Sequence, residues 1–380
     1  TLERLETLMA IFVSNRYLPR RILLLTGCFA RAAAERHSIS RLWKQSSGLM
    51  ARSVTQNAGD HGEHYITRDK KEYWAMFYSA AGGGVLIALM ALFKTYLGSI
   101  IDDKVWKGIA EGLNYGLGFM VIFMLHFTVA TKQPAMTAAR FAEAVEKTPQ
   151  GKTVNMKLAQ LLVDVFRSQS IAVLGNVLIA MGLAALIAFG YQYKTGEPLM
   201  NADQIAYQLH SIDPFAGTLW FAAIAGVWLF CSGIISGYFD NRSNYLNMRM
   251  RLAQHPLLKK LMSEKTRVKF ANYMHENYGS LIGNLCFGML LGITGVVGYL
   301  THLPLDIRHV AFSSANVGYI AVSGQFTYSL LLQCISFVLL IGLVNLIVSF
   351  SLTLWVALRS LNAEIDSWWP IWHEVCQIVK

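Results

Sequence analysis

Charge-free stretches recur along the chain, from Tyr73 to Phe93, Gly112 to Thr131, Ser168 to Tyr193, Pro214 to Phe239, Asn277 to Leu305 and His309 to Leu358. A helix that crosses the hydrocarbon core needs roughly 20 such residues, because a charge left in hydrocarbon is costly. The pattern predicts six crossings, near 73–93, 113–131, 171–191, 216–238, 281–301 and 329–357, folded as three consecutive hairpins. The expected fold class is therefore all-α, a polytopic membrane protein with its transmembrane domain over residues 73–358.

The flanks read as helix of another kind. Between residues 1 and 56, apolar positions such as Ile39, Leu42, Trp43 and Val54 alternate at helical spacing with Arg41, Lys44 and Arg52. Pro19 interrupts this pattern, and the turn cluster Asn57 to Gly62 ends it, so residues 1–72 form a basic helical cytoplasmic segment. Because the chain starts at Thr1, that segment is expected to be the end of a larger N-terminal region. Residues 240–276 also read as helix, punctuated at Pro256. Residues 359–380 place Ile365, Trp368, Trp369, Trp372, Val375 and Val379 on or near one face, the signature of an amphipathic helix in the membrane interface.

Composition sharpens this picture. The 380 residues are 54% hydrophobic and 15% charged, against about 25% charged in a soluble domain. The net charge of +10 would point to nucleic acid in a soluble chain, but its placement is uneven. Of the 33 Lys and Arg, only Lys94, Lys104, Lys107, Lys194 and Arg308 fall outside the set 1–72, 132–170, 239–280 and 359–380. The positive-inside rule makes that set cytoplasmic, with both termini inside and the hairpins projecting outward. Anionic lipid headgroups then account for the basic charge, which argues against a nucleic-acid partner. Cys28, Cys231, Cys286, Cys334 and Cys376 are scattered apolar fillers without a C-x-x-C pair.

Candidate chemistry is sparse. His126 is the one ionisable group expected inside a central span, where such residues are functional by default or, as neutral imidazoles, bond between helices. Lys132, Gln133 and Pro134 follow it, and a proline break there would expose backbone groups to a ligand. Asn176, Asn284, Gln333 and Asn345 are intramembrane amides suited to joining helices. Leu174-Gly175-Asn176 with Gly190-Tyr191 matches Ile282-Gly283-Asn284 with Gly298-Tyr299 at constant spacing, which predicts a parallel tandem repeat of hairpins pairing Asn176 with Asn284. Asp60-His61-Gly62-Glu63-His64 offers His61, Glu63 and His64 as zinc ligands or, more simply, a solvated turn. Gly112/Gly116, Gly233/Gly237 and Gly288/Gly292 permit close helix approach. His302, Asp306, Arg308, His309, Ser314 and Asn316 gather in one outward loop. Nothing in these patterns calls for a cofactor.

Four segments carry a resemblance: Gly62 to Thr67 (G-E-H-Y-I-T), His126 to Thr137 (H-F-T-V-A-T-K-Q-P-A-M-T), Ser236 to Arg242 (S-G-Y-F-D-N-R) and Ser314 to Tyr319 (S-A-N-V-G-Y). In these the chain resembles the bacterial family of site-specific recombinase transmembrane proteins, over essentially residues 57–360. The resemblance implies the bacterial inner membrane, a longer N-terminus, and DNA recombination as the named activity; it adds Asp240, Asn241 and Arg242 to the candidate binding residues. Residues 239–280 contain the residue types of a tyrosine recombinase in Tyr245, Tyr273, Tyr278, Arg242, Arg249, Arg251, His255 and His275. That stretch is pinned at both ends to membrane helices and is shorter than the roughly 50 residues of the smallest independent domains. The reading that follows is a membrane protein that binds or moves a solute or lipid, with membrane-anchored DNA processing as the alternative.

Overall fold

The computed structural model describes residues 67, 69–130, 152–323, 326–361 and 367–379, together with scattered helical positions before residue 31. Residues 1–50 form one compact unit and residues 51–380 another. Eleven α-helices are described in the second unit: α1 (Lys70–Ile100), α2 (Lys104–Met124), α3 (Lys152–Thr195), α4 (Ala202–Ile212), α5 (Thr218–Tyr245), α6 (Met248–Gln254), α7 (Pro256–Leu261), α8 (Glu264–Thr301), α9 (Val310–Ala321), α10 (Tyr328–Leu361) and α11 (Trp369–Val379). No strand occurs among the described residues.

Local chemistry sets where these helices start. Asp69 caps α1 by accepting from the Glu72 N–H, and Asp103 caps α2 by accepting from Val105 and Trp106. Asn201 and Gln204 form a reciprocal capping box on α4, and Pro256 begins α7, the punctuation its sequence implied.

Five helices, α1, α3, α5, α8 and α10, are long and apolar enough to cross a membrane. The chain is a helical membrane protein. The second expected crossing is displaced: α2 starts at Lys104, contains Lys107, Glu111 and Asn114, and stops at Met124. A turn at Leu125 and His126 ends it, with His126 at φ 57°, and residues 127–129 are not helical. The expected outward loop at 309–328 is also different. There α9 lies folded into the bundle, with Val310 to Ala315 and Val317 to Ile320 all buried.

The helices meet where glycine removes side chains. Gly112 lies against Gly292, Gly116 against Gly288, and Gly108 against Val296, so numbering falls along one helix as it rises along the other: α2 and α8 cross antiparallel with backbones in contact. Gly82, Gly83 and Gly84 clear the face of α1 on which the Phe127 ring, the Thr128 carbonyl and α3 rest.

Buried amides lock two parts of this frame in the same way. On α3, Asn176 Nδ2 donates to Ala80 O of α1 (2.5 Å) and to Thr128 O (2.9 Å), while its Oδ1 accepts from Ala130 N (2.9 Å). On α10, Asn345 Nδ2 donates to Ala222 O of α5 (2.7 Å) and to Arg308 O (3.0 Å), and its Oδ1 accepts from Val310 N (3.1 Å). A Cβ on Gly84 would sit 2.9 Å from Asn176 O, and one on Gly226 3.1 Å from Asn345 O. Thus α1, α2, the break at 126–130 and α3 correspond to α5, α8, the break at 302–310 and α10. Because the corresponding helices α2 and α8 run antiparallel, the two halves are inverted. This corrects the tandem pairing of Asn176 with Asn284: the structural counterpart of Asn176 is Asn345.

At the C-terminus, α11 turns Ile371 into a cluster with Leu158 and Ala159 of α3 and Leu354 and Ala357 of α10. Trp368, Trp369 and Trp372 remain exposed beside it.

Candidate functional site

At one end of the bundle a cavity of about 450 Å³ opens between α1, α2, α4 and the start of α9. Its volume falls in the range of small-molecule sites. From α1 come Lys94, Thr95 and Gly98; from α2, Lys107, Glu111 and Tyr115. Helix α4 contributes Asp203, Gln204, Tyr207, Gln208 and Ser211, and the α8–α9 connection brings Asp306, Arg308 and His309, with Asn316 from α9.

An ion pair stands in its wall. Lys94 Nζ lies 3.6 Å from Glu111 Oε2, with side-chain exposures of 38% and 14%, and the ammonium faces the Tyr115 ring at 5.7 Å. Both residues stand within helices, because α1 continues past Lys94 to Ile100 and α2 begins before Glu111. Arg308 is committed to structure: Nη1 donates to Asp306 Oδ2 (2.6 Å) and Ile307 O, and Nε to Ser211 O (2.7 Å), tying the α8–α9 connection to α4. Lys107 of α2 and Asp203 of α4 also line the cavity.

Aromatic rings form part of its lining. Tyr115 and Phe312 are 4.5 Å apart between centroids, His309 lies 5.7 Å from Phe312, and outside the lining Phe119 and Phe287 pair at 5.0 Å, with Phe119 5.8 Å from Phe312. His309 precedes α9, and burial pushes its imidazole down to about 4, so it is neutral at pH 7. The cavity therefore offers polar side chains, a paired ammonium and carboxylate, and the aromatic faces of Tyr115 and Phe312, and no metal cluster occurs among the described residues.

The sequence-predicted residues fall into separate groups. Asp306, Arg308, His309 and Asn316 do come together in the cavity wall. His126 does not bond between helices: its side chain is exposed at the turn that ends α2, where its carbonyl accepts from Ser79 Oγ (3.0 Å). Asn176 is a lock between α1, α3 and the 128–130 segment, away from the cavity lining, and Asn284 Nδ2 donates to Ser280 O on its own helix. Asp240 accepts from Gly279 N (2.9 Å), joining α5 to α8, and Arg242 reaches Tyr238 Oη at 3.4 Å while Asn241 is half-buried beside them. Lys132, Gln133 and Pro134, and the set His61, Glu63 and His64, lie outside the described residues. Lys94 and Glu111 were missed as site residues because each marks an edge of a charge-free run; a charge at a run's edge belongs to the helix when the helix outlasts the run.

What the fold and cavity define is a polytopic α-helical membrane protein built from inverted halves, with a polar chamber at one end. Comparison with known families places it further: the chain belongs to the site-specific recombinase family, whose model matches residues 1–380. No curated protein and no solved structure matches the chain.

Proposed function

We propose that this protein binds a small polar solute in the cavity between α1, α2, α4 and α9 and carries it across the bacterial inner membrane. The observation that carries this reading is the Lys94–Glu111 pair, set in the wall of a 450 Å³ chamber between membrane helices. A charged pair inside a helical bundle is costly to keep dry and marks ion or substrate paths. In the proposed orientation, α2 is the sixth crossing, both termini are cytoplasmic, and the cavity opens outward. Exposed Arg249, Arg251, Lys259 and Lys260 of α6 and α7 then meet anionic headgroups. Single-cysteine labelling tests the orientation: positions 104, 203 and 306 react from outside, and 152 and 260 only from the cytoplasmic side. The binding reading is tested by titrating purified protein with panels of small polar organic solutes and following uptake into proteoliposomes. Solute binding abolished by Glu111→Gln supports it; a complete panel without binding or uptake overturns it.

A second reading is favoured by the family name: DNA strand exchange at the exposed basic face of α6 and α7. Its chemistry would leave a covalent phosphotyrosine adduct on Tyr245, Tyr273 or Tyr278. Trapping such an adduct would replace the solute reading; no adduct and no strand cleavage are expected.

A further inference from the structure

Ionic groups of both signs line the chamber, and they are not spread evenly over its walls. The α1–α2 side carries Lys94, Lys107 and Glu111, two ammoniums against one carboxylate. Lys94 is paired with Glu111 across the seam at 3.6 Å. One turn further along α1, the bare Gly98 leaves room for the Lys107 ammonium, which a Cβ there would meet at 3.1 Å. On the remaining walls Arg308 is engaged by Asp306 at 2.6 Å, which leaves the carboxylate of Asp203 on α4. His309, kept neutral by burial, does not alter this balance. Among the described residues Lys107 and Asp203 enter no ion pair, so the chamber is neutral as a whole and dipolar from the α1–α2 wall to the α4 wall.

A dipolar chamber selects by charge. A simple anion satisfies the α1–α2 wall but brings a like charge to Asp203, and a simple cation does the reverse at Lys107. An uncharged solute displaces water from both groups and pairs with neither, which is costly. A molecule carrying both charges complements both walls at once. We propose that the ligand of this chamber is a small zwitterion, such as an amino acid, with its carboxylate on Lys107 and its ammonium on Asp203. Tyr207 follows Asp203 by one turn of α4 and also lines the chamber, and an aromatic ring there suits an ammonium. The Lys94–Glu111 pair sits one turn from Lys107, so it adds an ammonium beside the ligand carboxylate without changing the sign of that wall. This inference rests on the solute reading above and names the class of solute.

The test is a charge-matched titration of the full chain in lipid nanodiscs by isothermal calorimetry. The zwitterions are L-alanine, L-leucine, β-alanine, γ-aminobutyrate and δ-aminovalerate, which separate the two charges by increasing lengths. Each is compared with its carboxylate-only and amine-only relatives, and glycerol and erythritol serve as uncharged solutes. At least one zwitterion is expected to bind about tenfold or more tightly than both of its singly charged relatives, the worth of one charge-assisted hydrogen bond. Lys107→Gln should lower that zwitterion to the affinity of its amine relative and leave amine binding unchanged, and Asp203→Asn should do the converse. Lys107 is half-buried and Asp203 exposed, so neither substitution opens the core, and retained amine binding by Lys107→Gln shows that the variant is folded. A carboxylate or an amine that binds as tightly as every zwitterion overturns the proposal, as does a zwitterion preference that survives both substitutions. If only uncharged or singly charged solutes bind, this inference fails and the solute reading stands; if nothing in the panel binds, both fail.

Discussion

The inverted architecture makes a sharp demand on two residues far apart in sequence. Asn176→Ala deletes a side chain that is 1% exposed and makes three hydrogen bonds. Ala80 O keeps its place in the α1 ladder, so its loss is modest. Thr128 O and Ala130 N lie in the stretch just after the break that ends α2 and lose the amide that serves them both. Interhelical bonds in membranes are worth roughly 0.6 to 1.7 kcal/mol each, since the denatured state also finds partners, which puts the total at about 2 to 4 kcal/mol. Asn345→Ala removes an equivalent set from α5 and the α8–α9 connection and should cost the same within about 1 kcal/mol. Asn176→Asp should be no milder than Ala, because two donors are replaced by a carboxylate facing two carbonyls. Reversible unfolding in mixed micelles measures all three. A difference above about 2 kcal/mol between the two alanine variants, or a cost below about 0.5 kcal/mol for both, would refute the claim that these amides are matched locks.

Gly288→Leu places a side chain where the Gly116 backbone already lies, so α2 and α8 must separate; loss of folded monomer on size exclusion is expected, while Gly182→Leu, facing open space, should leave the elution unchanged. Glu111→Gln removes the carboxylate beside Lys94 and should cost about 1 to 2 kcal/mol, discounted from a fully buried pair because Lys94 is 38% exposed; adding Lys94→Met should recover most of it. His309 titrates lower in the folded protein than its ordinary 6.5, so the neutral form is favoured by folding and its contribution is complete above pH 6.5. Thermal midpoints should therefore fall as pH drops from 6.5 toward 4, and His309→Gln should flatten that part of the profile; an unchanged slope would show that other groups carry it.

The membrane class was legible because hydropathy is a property of each segment alone: α1, α3, α5, α8 and α10 coincide with five charge-free runs whatever they pack against. The glycine pairs of α2 and α8 were legible for a similar reason, since a helix stripped of side chains at every fourth position must meet something closely. Partnership was not legible. The matches that pointed to a tandem repeat, Leu174-Gly175-Asn176 with Ile282-Gly283-Asn284, are three-residue similarities between apolar helices, which recur whenever small residues and amides serve packing. The true correspondences are Ala80 with Ala222, Ala130 with Val310, and Asn176 with Asn345, and the spacing changes at every step because the connections between the helices differ in length. No single shift of the sequence brings them into register.

The site escaped for a related physical reason. Lys94 and Glu111 look like helix ends when each run is scanned separately, because the cost of a membrane charge is reckoned for a residue alone. Across the α1–α2 seam the two charges are 3.6 Å apart, and that pairing lets them remain in the bundle wall. The same argument separates them from Arg308. Its three nearest acceptors belong to the Asp306–Ile307 connection and to Ser211, so removing Arg308 should loosen α4 from that connection before it alters the charge presented to a solute. Lys94 and Glu111 have each other and the open chamber. On the proposed solute reading, a ligand that enters would compete with one partner for the other, and that competition would couple occupancy of the chamber to the distance between α1 and α2.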